Sequence, residues 1–82
     1  MAVTLYSTGC PMCEVLKSKL DEKDILYNYV DDTQLMINKG FSSAPQLEIN
    51  GTVYDFNSAR KLVDSFDNSV DFVEFVKIQN AE

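Results

Sequence analysis

The chain has 82 residues, 45% of them hydrophobic, enough for one small core. Thirteen acidic against seven basic residues leave a net charge of −6, which opposes binding to phosphate backbones and anionic lipid and excludes nucleic acid and membranes as expected partners. No apolar run approaches the roughly 20 residues of a membrane span, so residues 1–82 read as one soluble domain whose acidic excess serves solubility.

Val3-Thr4-Leu5-Tyr6 is short, β-branched and aromatic, and it runs into the turn formers Ser7-Thr8-Gly9. A strand followed by a loop is expected. From Pro11 the period changes. Cys13, Leu16 and Leu20 recur at three and four residues with Val15 beside them, which predicts an amphipathic helix. Proline is favoured at the first helical position, where its missing N–H is not needed. Cys10 then becomes the N-cap, and the unpaired amides and positive dipole end of the helix point at its sulfur.

Cys10-Pro11-Met12-Cys13 holds the only two cysteines, and the chain has no histidine. A pair at this spacing is either half of a zinc site or a redox dithiol beside a βαβ pattern. Structural zinc needs four Cys or His ligands, so a metal or iron–sulfur module would require two chains to share Cys10 and Cys13. A structural disulfide in an exported domain is a further reading, and a redox-inert interaction module another. Met1-Ala2-Val3-Thr4-Leu5-Tyr6 has neither the charged region nor the long apolar core of an export signal, and a four-residue ring adds little through loop entropy. A reversible dithiol in a cytoplasmic protein is the favoured reading.

Residues 26–30, Leu26-Tyr27-Asn28-Tyr29-Val30, predict a second strand, and apolar residues on both faces suggest an inner, parallel position. A short helix is expected next. Asp31 with Gln34 three residues later resembles a capping box, Leu35, Met36 and Ile37 supply apolar contacts, and Gly40 is a C-terminal stop. Gln46 to Ile49 and Thr52 to Tyr54 flank Asn50-Gly51, the dipeptide suited to a type I′ turn, and predict an antiparallel hairpin. Asn57 can cap a further helix with Ala59, Leu62, Val63 and Phe66 on one buried stripe. Phe72, Val73, Phe75 and Val76 form one face of a last helix from about Ser69 that covers the end of the sheet.

This order resembles a thioredoxin-like fold, and its details look like a glutaredoxin. Three features carry the resemblance: Tyr6 and Ser7-Thr8-Gly9 leading into Cys10-Pro11-Met12-Cys13, the segment Ser43-Ala44-Pro45-Gln46-Leu47, and the hairpin running on to Asp55-Phe56. Gly40-Phe41-Ser42-Ser43-Ala44-Pro45 is similar to the small glutaredoxin-like electron donors of ribonucleotide reductase and to their phage relatives. The resemblance implies an α/β fold: a four-stranded mixed sheet, helices on both faces and an extra C-terminal helical segment. It also implies a thiol-disulfide oxidoreductase, without metal or cofactor, in which Cys10 attacks a protein disulfide and Cys13 resolves the intermediate. Pro45 would follow a cis peptide bond and face the dithiol. Without the resemblance, an ordinary edge-strand proline is the expectation there. Tyr6, Thr8, Pro11, Met12, Ala44, Pro45, Asp55 and Phe56 would meet the substrate, although Tyr6 and Phe56 serve equally well as core aromatics and Asp55 as a solvated turn carboxylate.

Two departures bear on the source of electrons. Asp55-Phe56-Asn57 stands where glutaredoxins usually place a Gly-Gly turn that helps hold glutathione, and no basic residue lies between Val3 and Cys10. Both count against glutathione, and the missing Gly-Gly turn, shared with the electron-donor relatives, points to a flavoprotein reductase; either remains a candidate electron source. The implied substrate is a disulfide-containing protein, ribonucleotide reductase among the candidates, and the implied state is a monomer.

Overall fold

The computed structural model describes residues 3–80; the ends of the 1–82 span, residues 1–2 and 81–82, lie outside the described residues. Strand β1 (Val3–Tyr6) is central and pairs on both sides. It runs parallel to β2 (Asn28–Val30) and antiparallel to β3 (Gln46–Ile49), and β3 pairs antiparallel with β4 (Thr52–Tyr54). The sheet order is β2-β1-β3-β4, so the sheet is mixed, as expected.

Alternation along the strands divides the residues between two faces. Val3 and Leu5 of β1 stand opposite Ile49 and Leu47 of β3, and all four enter one buried cluster with Leu16 and Leu20 of α1 (Pro11–Glu22) and Ala59 and Val63 of α3 (Phe56–Ser65). Helices α1 and α3 therefore pack on one face and on each other. The end of α2 (Thr33–Asn38) lies on the other face. Its C-cap Lys39 holds its ammonium 5.6 Å from the Tyr6 ring centroid and 3.8 Å from Glu48. The chain thus has a thioredoxin-like α/β fold, with four helices and an open four-stranded sheet among the described residues.

Most local signals act where they are read. Cys10 caps α1 with Pro11 in its first turn. Gly40 ends α2 at φ +84°, with Gly40 N–H bonded to Ile37 O and Phe41 N–H to Met36 O, the paired bonds of a Schellman ending. Asn50 and Gly51 take φ of +50° and +88°, as a type I′ hairpin requires.

Four expectations need correction. The second strand is parallel but sits at the edge and covers only residues 28–30, with Leu26 76% exposed. The two tyrosines differ: Tyr27, before the strand, packs on the core with its hydroxyl donated to the exposed Asp21, whereas Tyr29 is 43% exposed and donates its hydroxyl to the buried Ser7. The cap of α2 is Asp32, which accepts the Leu35 N–H, while Gln34 bonds Asn38 instead of closing a capping box with Asp31. Asp55, not Asn57, caps α3 by accepting the Ser58 N–H at 2.9 Å. The last helix, α4 (Phe72–Asn80), starts later than Ser69 because the Asp67 carboxylate takes the Ser69 N–H and hydroxyl, a local turn that competes with helix.

Helix α4 covers the end of the core away from the cysteines, as expected. Phe72 and Val76 join the buried cluster, and the Phe66 ring meets Phe72 and Phe75 edge-on at 5.2 and 5.3 Å. Among the described residues, no helix is long and apolar enough to cross a membrane.

Candidate functional site

The Ser7-Thr8-Gly9 loop leaves β1 and delivers Cys10 to the start of α1. Ser7 is buried and anchors the loop three times: its N–H bonds Val30 O at 2.9 Å, and its hydroxyl accepts the Gly9 N–H and the Tyr29 O–H, each at 3.1 Å. Gly9 makes the turn at φ +79°, a conformation that L side chains rarely adopt.

Cys10 then takes an extended N-cap conformation, with its Sγ 3.1 Å from the Cys13 N–H it accepts. Pro11 withholds an amide at this end, and the remaining first-turn amides and the helix dipole favour negative charge on that sulfur. One turn in, Cys13 is completely buried beside Leu16 and Leu20 on the inner stripe of α1. The two cysteines are joined as a disulfide with a Cα–Cα distance of 5.0 Å. One sulfur is thus partly open to solvent while its partner is enclosed.

Two groups from elsewhere approach the pair. The Thr8 hydroxyl lies 3.9 Å from Cys13 Sγ. The Ala44 carbonyl oxygen lies 3.8 Å from Cys10 Sγ, a distance at which a reduced thiol can donate a weak hydrogen bond. The Ala44–Pro45 peptide bond is cis, and Pro45 is buried where the chain enters β3. Register explains the meeting: Gln46 pairs with Tyr6, so the residues before β3 and after β1 emerge at the same end of the sheet.

Beside Cys10 opens a cleft of about 220 Å³ between α2 and residues 41–44. Its walls include Thr8, Cys10, Met36, Ile37, Phe41 and Ala44. Pro11 and Met12 are exposed on the neighbouring first turn of α1, outside this lining.

Comparison with models of known protein families, with curated proteins and with solved structures finds no match.

The geometry brings together Thr8, Cys10, Cys13, Ala44 and Pro45, with Pro11 and Met12 at the margin. It does not bring Tyr6, Asp55 or Phe56 into the lining of the cleft. Tyr6 is buried under the Phe41 ring, with centroids 5.0 Å apart, and donates its hydroxyl to Glu48 at 3.1 Å. Burial, and then Glu48, push its phenol pKa up. The Asp55 carboxylate is engaged as the cap of α3, and the Ser58 amide and hydroxyl hold it below the usual carboxylate range. Phe56 packs half-buried against the core.

Thr33, Met36, Ile37, Phe41, Ser42 and Ser43 were not singled out from sequence as site residues, yet they line the cleft. A signal existed for Ile37. Leu35, Met36 and Ile37 are consecutive on a six-residue helix, so they cannot all face inward; Met36 is buried and Ile37 is 60% exposed. Among the described residues, no three His, Cys, Asp or Glu side chains stand together as a metal-holding group.

Proposed function

We propose that this protein is a glutaredoxin-like dithiol-disulfide oxidoreductase that reduces protein disulfides through Cys10 and Cys13. One observation carries the reading: Cys10, a partly exposed residue, caps a helix with its sulfur and is paired with the fully buried Cys13 one turn inside. A thiolate, not a thiol, is the nucleophile, and free cysteine at about pKa 8.5 is mostly protonated near neutral pH. The amides and dipole at the start of α1 favour negative charge on the Cys10 sulfur, which is also the sulfur a bulky substrate can reach.

In the reduced protein, Cys10 thiolate attacks one sulfur of the substrate disulfide and the other sulfur leaves as a thiolate. Cys13 then attacks Cys10 Sγ, the mixed disulfide breaks, and the second substrate thiolate leaves. The Cys10–Cys13 disulfide forms, so two electrons have passed to the substrate, whose two thiolates take up the proton released by Cys13 and one from solvent. The buried position of Cys13 disfavours a metal shared between two chains, because a ligand from a second chain cannot reach it without opening the core. A reversible dithiol of this kind has its use where thiols are kept reduced, which supports a cytoplasmic location. Ribonucleotide reductase is a candidate substrate through the resemblance alone.

Insulin reduction coupled to NADPH consumption tests the reading, with electrons supplied either by thioredoxin reductase or by glutathione and glutathione reductase. Turnover above the background of the Cys10→Ser variant with at least one source is expected. Failure with both would overturn the assignment.

Thr8 gives a second, finer test. When a reductant attacks Cys10, the electron pair of the opening disulfide collects on Cys13 Sγ, which is buried and has the Thr8 hydroxyl 3.9 Å away. A hydrogen bond of this kind contributes about 1 kcal/mol, or roughly a fivefold change in rate. Thr8→Val is expected to slow reopening of the disulfide by dithiothreitol about fivefold, whereas Thr8→Ser leaves it near the parent rate. Slowing in Thr8→Ser with Thr8→Val near the parent rate would mean that the methyl group, not the hydroxyl, matters.

A further inference from the structure

The cleft beside Cys10 has no charge of its own and an acidic rim. Apart from Cys10, none of its lining residues is ionisable, and its walls are the apolar Met36, Ile37, Phe41 and Ala44 with hydroxyls between them. Val30 pairs with Tyr6 at the end of the sheet from which Cys10 emerges, and Asp31 and Asp32 follow it directly. Asp32 caps α2, whose first residue, Thr33, already lines the cleft. Glu14, in the first turn of α1, belongs to another surface of that helix, with Val15, Ser18, Lys19 and Glu22.

Among the described residues, no basic side chain lines the cleft. None of the seven basic residues falls within positions 3–16, 24–38 or 40–59, the segments that build the cleft and its rim. Lys39, the nearest in sequence, has its ammonium drawn to Glu48 and the Tyr6 ring. The net charge of −6 reads from sequence as a solubility device. The fold adds that two of its carboxylates, Asp31 and Asp32, follow β2 at the end of the sheet where Cys10 stands, next to Thr33 of the cleft.

We propose that this cleft selects a polypeptide cysteine with an apolar residue on one side and a lysine or arginine on the other, and selects against anionic glutathione. The proposal rests on the oxidoreductase reading and names its substrate class. The apolar neighbour covers Ile37 and Phe41, removing apolar area from water. The basic neighbour meets the Asp31 and Asp32 carboxylates. Glutathione carries two carboxylates and finds no basic side chain among the described residues that line the cleft, and the acidic field of the whole molecule slows its approach.

The test uses the reduced full-length protein and four disulfides: homodimers of the peptides Leu-Cys-Lys, Leu-Cys-Ser and Leu-Cys-Glu, all blocked at both ends, and oxidised glutathione. Second-order rate constants are measured by acid quench and chromatography, and each is divided by the rate with dithiothreitol to remove intrinsic thiol reactivity. At low salt the Lys peptide is expected to react about tenfold faster than the Glu peptide, with the Ser peptide between and glutathione at or below the Glu peptide. In about 0.5 M NaCl the Lys-to-Glu ratio should fall to about twofold, because exposed charges are then screened.

The double variant Asp31→Asn, Asp32→Asn keeps a capping side chain at position 32, so it retains the fold, and it should cut the low-salt ratio to about threefold. Ile37→Ser should slow the Leu-Cys-Lys peptide about fivefold relative to a Ser-Cys-Lys peptide. Equal rates for Lys and Glu peptides at low salt, or faster reaction with glutathione than with the Lys peptide, would overturn the proposal while leaving the oxidoreductase intact. No reaction with any of the disulfides would overturn the oxidoreductase reading, and this proposal with it.

Discussion

Cys10→Ser is expected to lose disulfide reductase activity by at least about a hundredfold, since it removes the only reachable nucleophile. Cys13→Ser is expected to fail differently. It retains the helix-capping sulfur that attacks, so it should accumulate a covalent mixed disulfide with substrate, visible by mass spectrometry and released by dithiothreitol. The difference follows from burial. Cys10 is partly open at the N-cap, whereas Cys13 has no exposed surface and can meet only a sulfur already attached to Cys10. Alkylation of the reduced protein should show the same order, with iodoacetamide labelling Cys10 first. A mixed disulfide trapped in Cys10→Ser instead would exchange the two roles and overturn the mechanism.

How far the site can be read from sequence depends on how locally each part is encoded. Cys10 as N-cap, Pro11 in the first turn, the Gly40 stop and the Asn50-Gly51 turn are each set by backbone chemistry within a few residues, and all four act as read. Caps are less certain where donors crowd together. Asp31 and Asp32 are both good N-caps, as are Asp55 and Asn57, and which one starts the helix depends on where the preceding strand lets go of the chain. The position of β2 is not local at all. Tyr27, Tyr29 and Val30 suit an inner strand as well as an edge, and only the crossover that sets β3 on the far side of β1 decides between them.

The same distinction divides the site residues. Cys10 and Cys13 declare themselves by spacing, and Ala44 and Pro45 through the resemblance. Tyr6, Asp55 and Phe56 sit close to the motif in sequence or topology, but alternation turns the Tyr6 ring onto the sheet face beneath Phe41, and capping engages the Asp55 carboxylate. Residues that line the cleft from α2 carry no chemical signature. Ile37 becomes a wall only because Met36, its neighbour, takes the inward position.

Leu16→Ala carries the largest expected loss of stability. Leu16 is completely buried on the stripe of α1 that also holds Cys13 and Leu20, and it belongs to the cluster that joins α1 to Leu5, Leu47 and Val63. Removing a buried leucine side chain costs its transfer free energy plus a cavity term, about 3–4 kcal/mol at a tightly packed site. A domain of this length has a total of roughly 4–12 kcal/mol, so thermal unfolding should fall by about 12–25 °C. Leu26→Ala deletes the same atoms from a residue that is 76% exposed, and it should change stability by no more than about 0.5 kcal/mol. The pair separates burial from chemistry, because only position differs between the two deletions. Similar melting temperatures for both variants would mean that α1 does not seat its inner stripe in the core, and the enclosure of Cys13, on which the unequal roles of the two sulfurs depend, would fail with it.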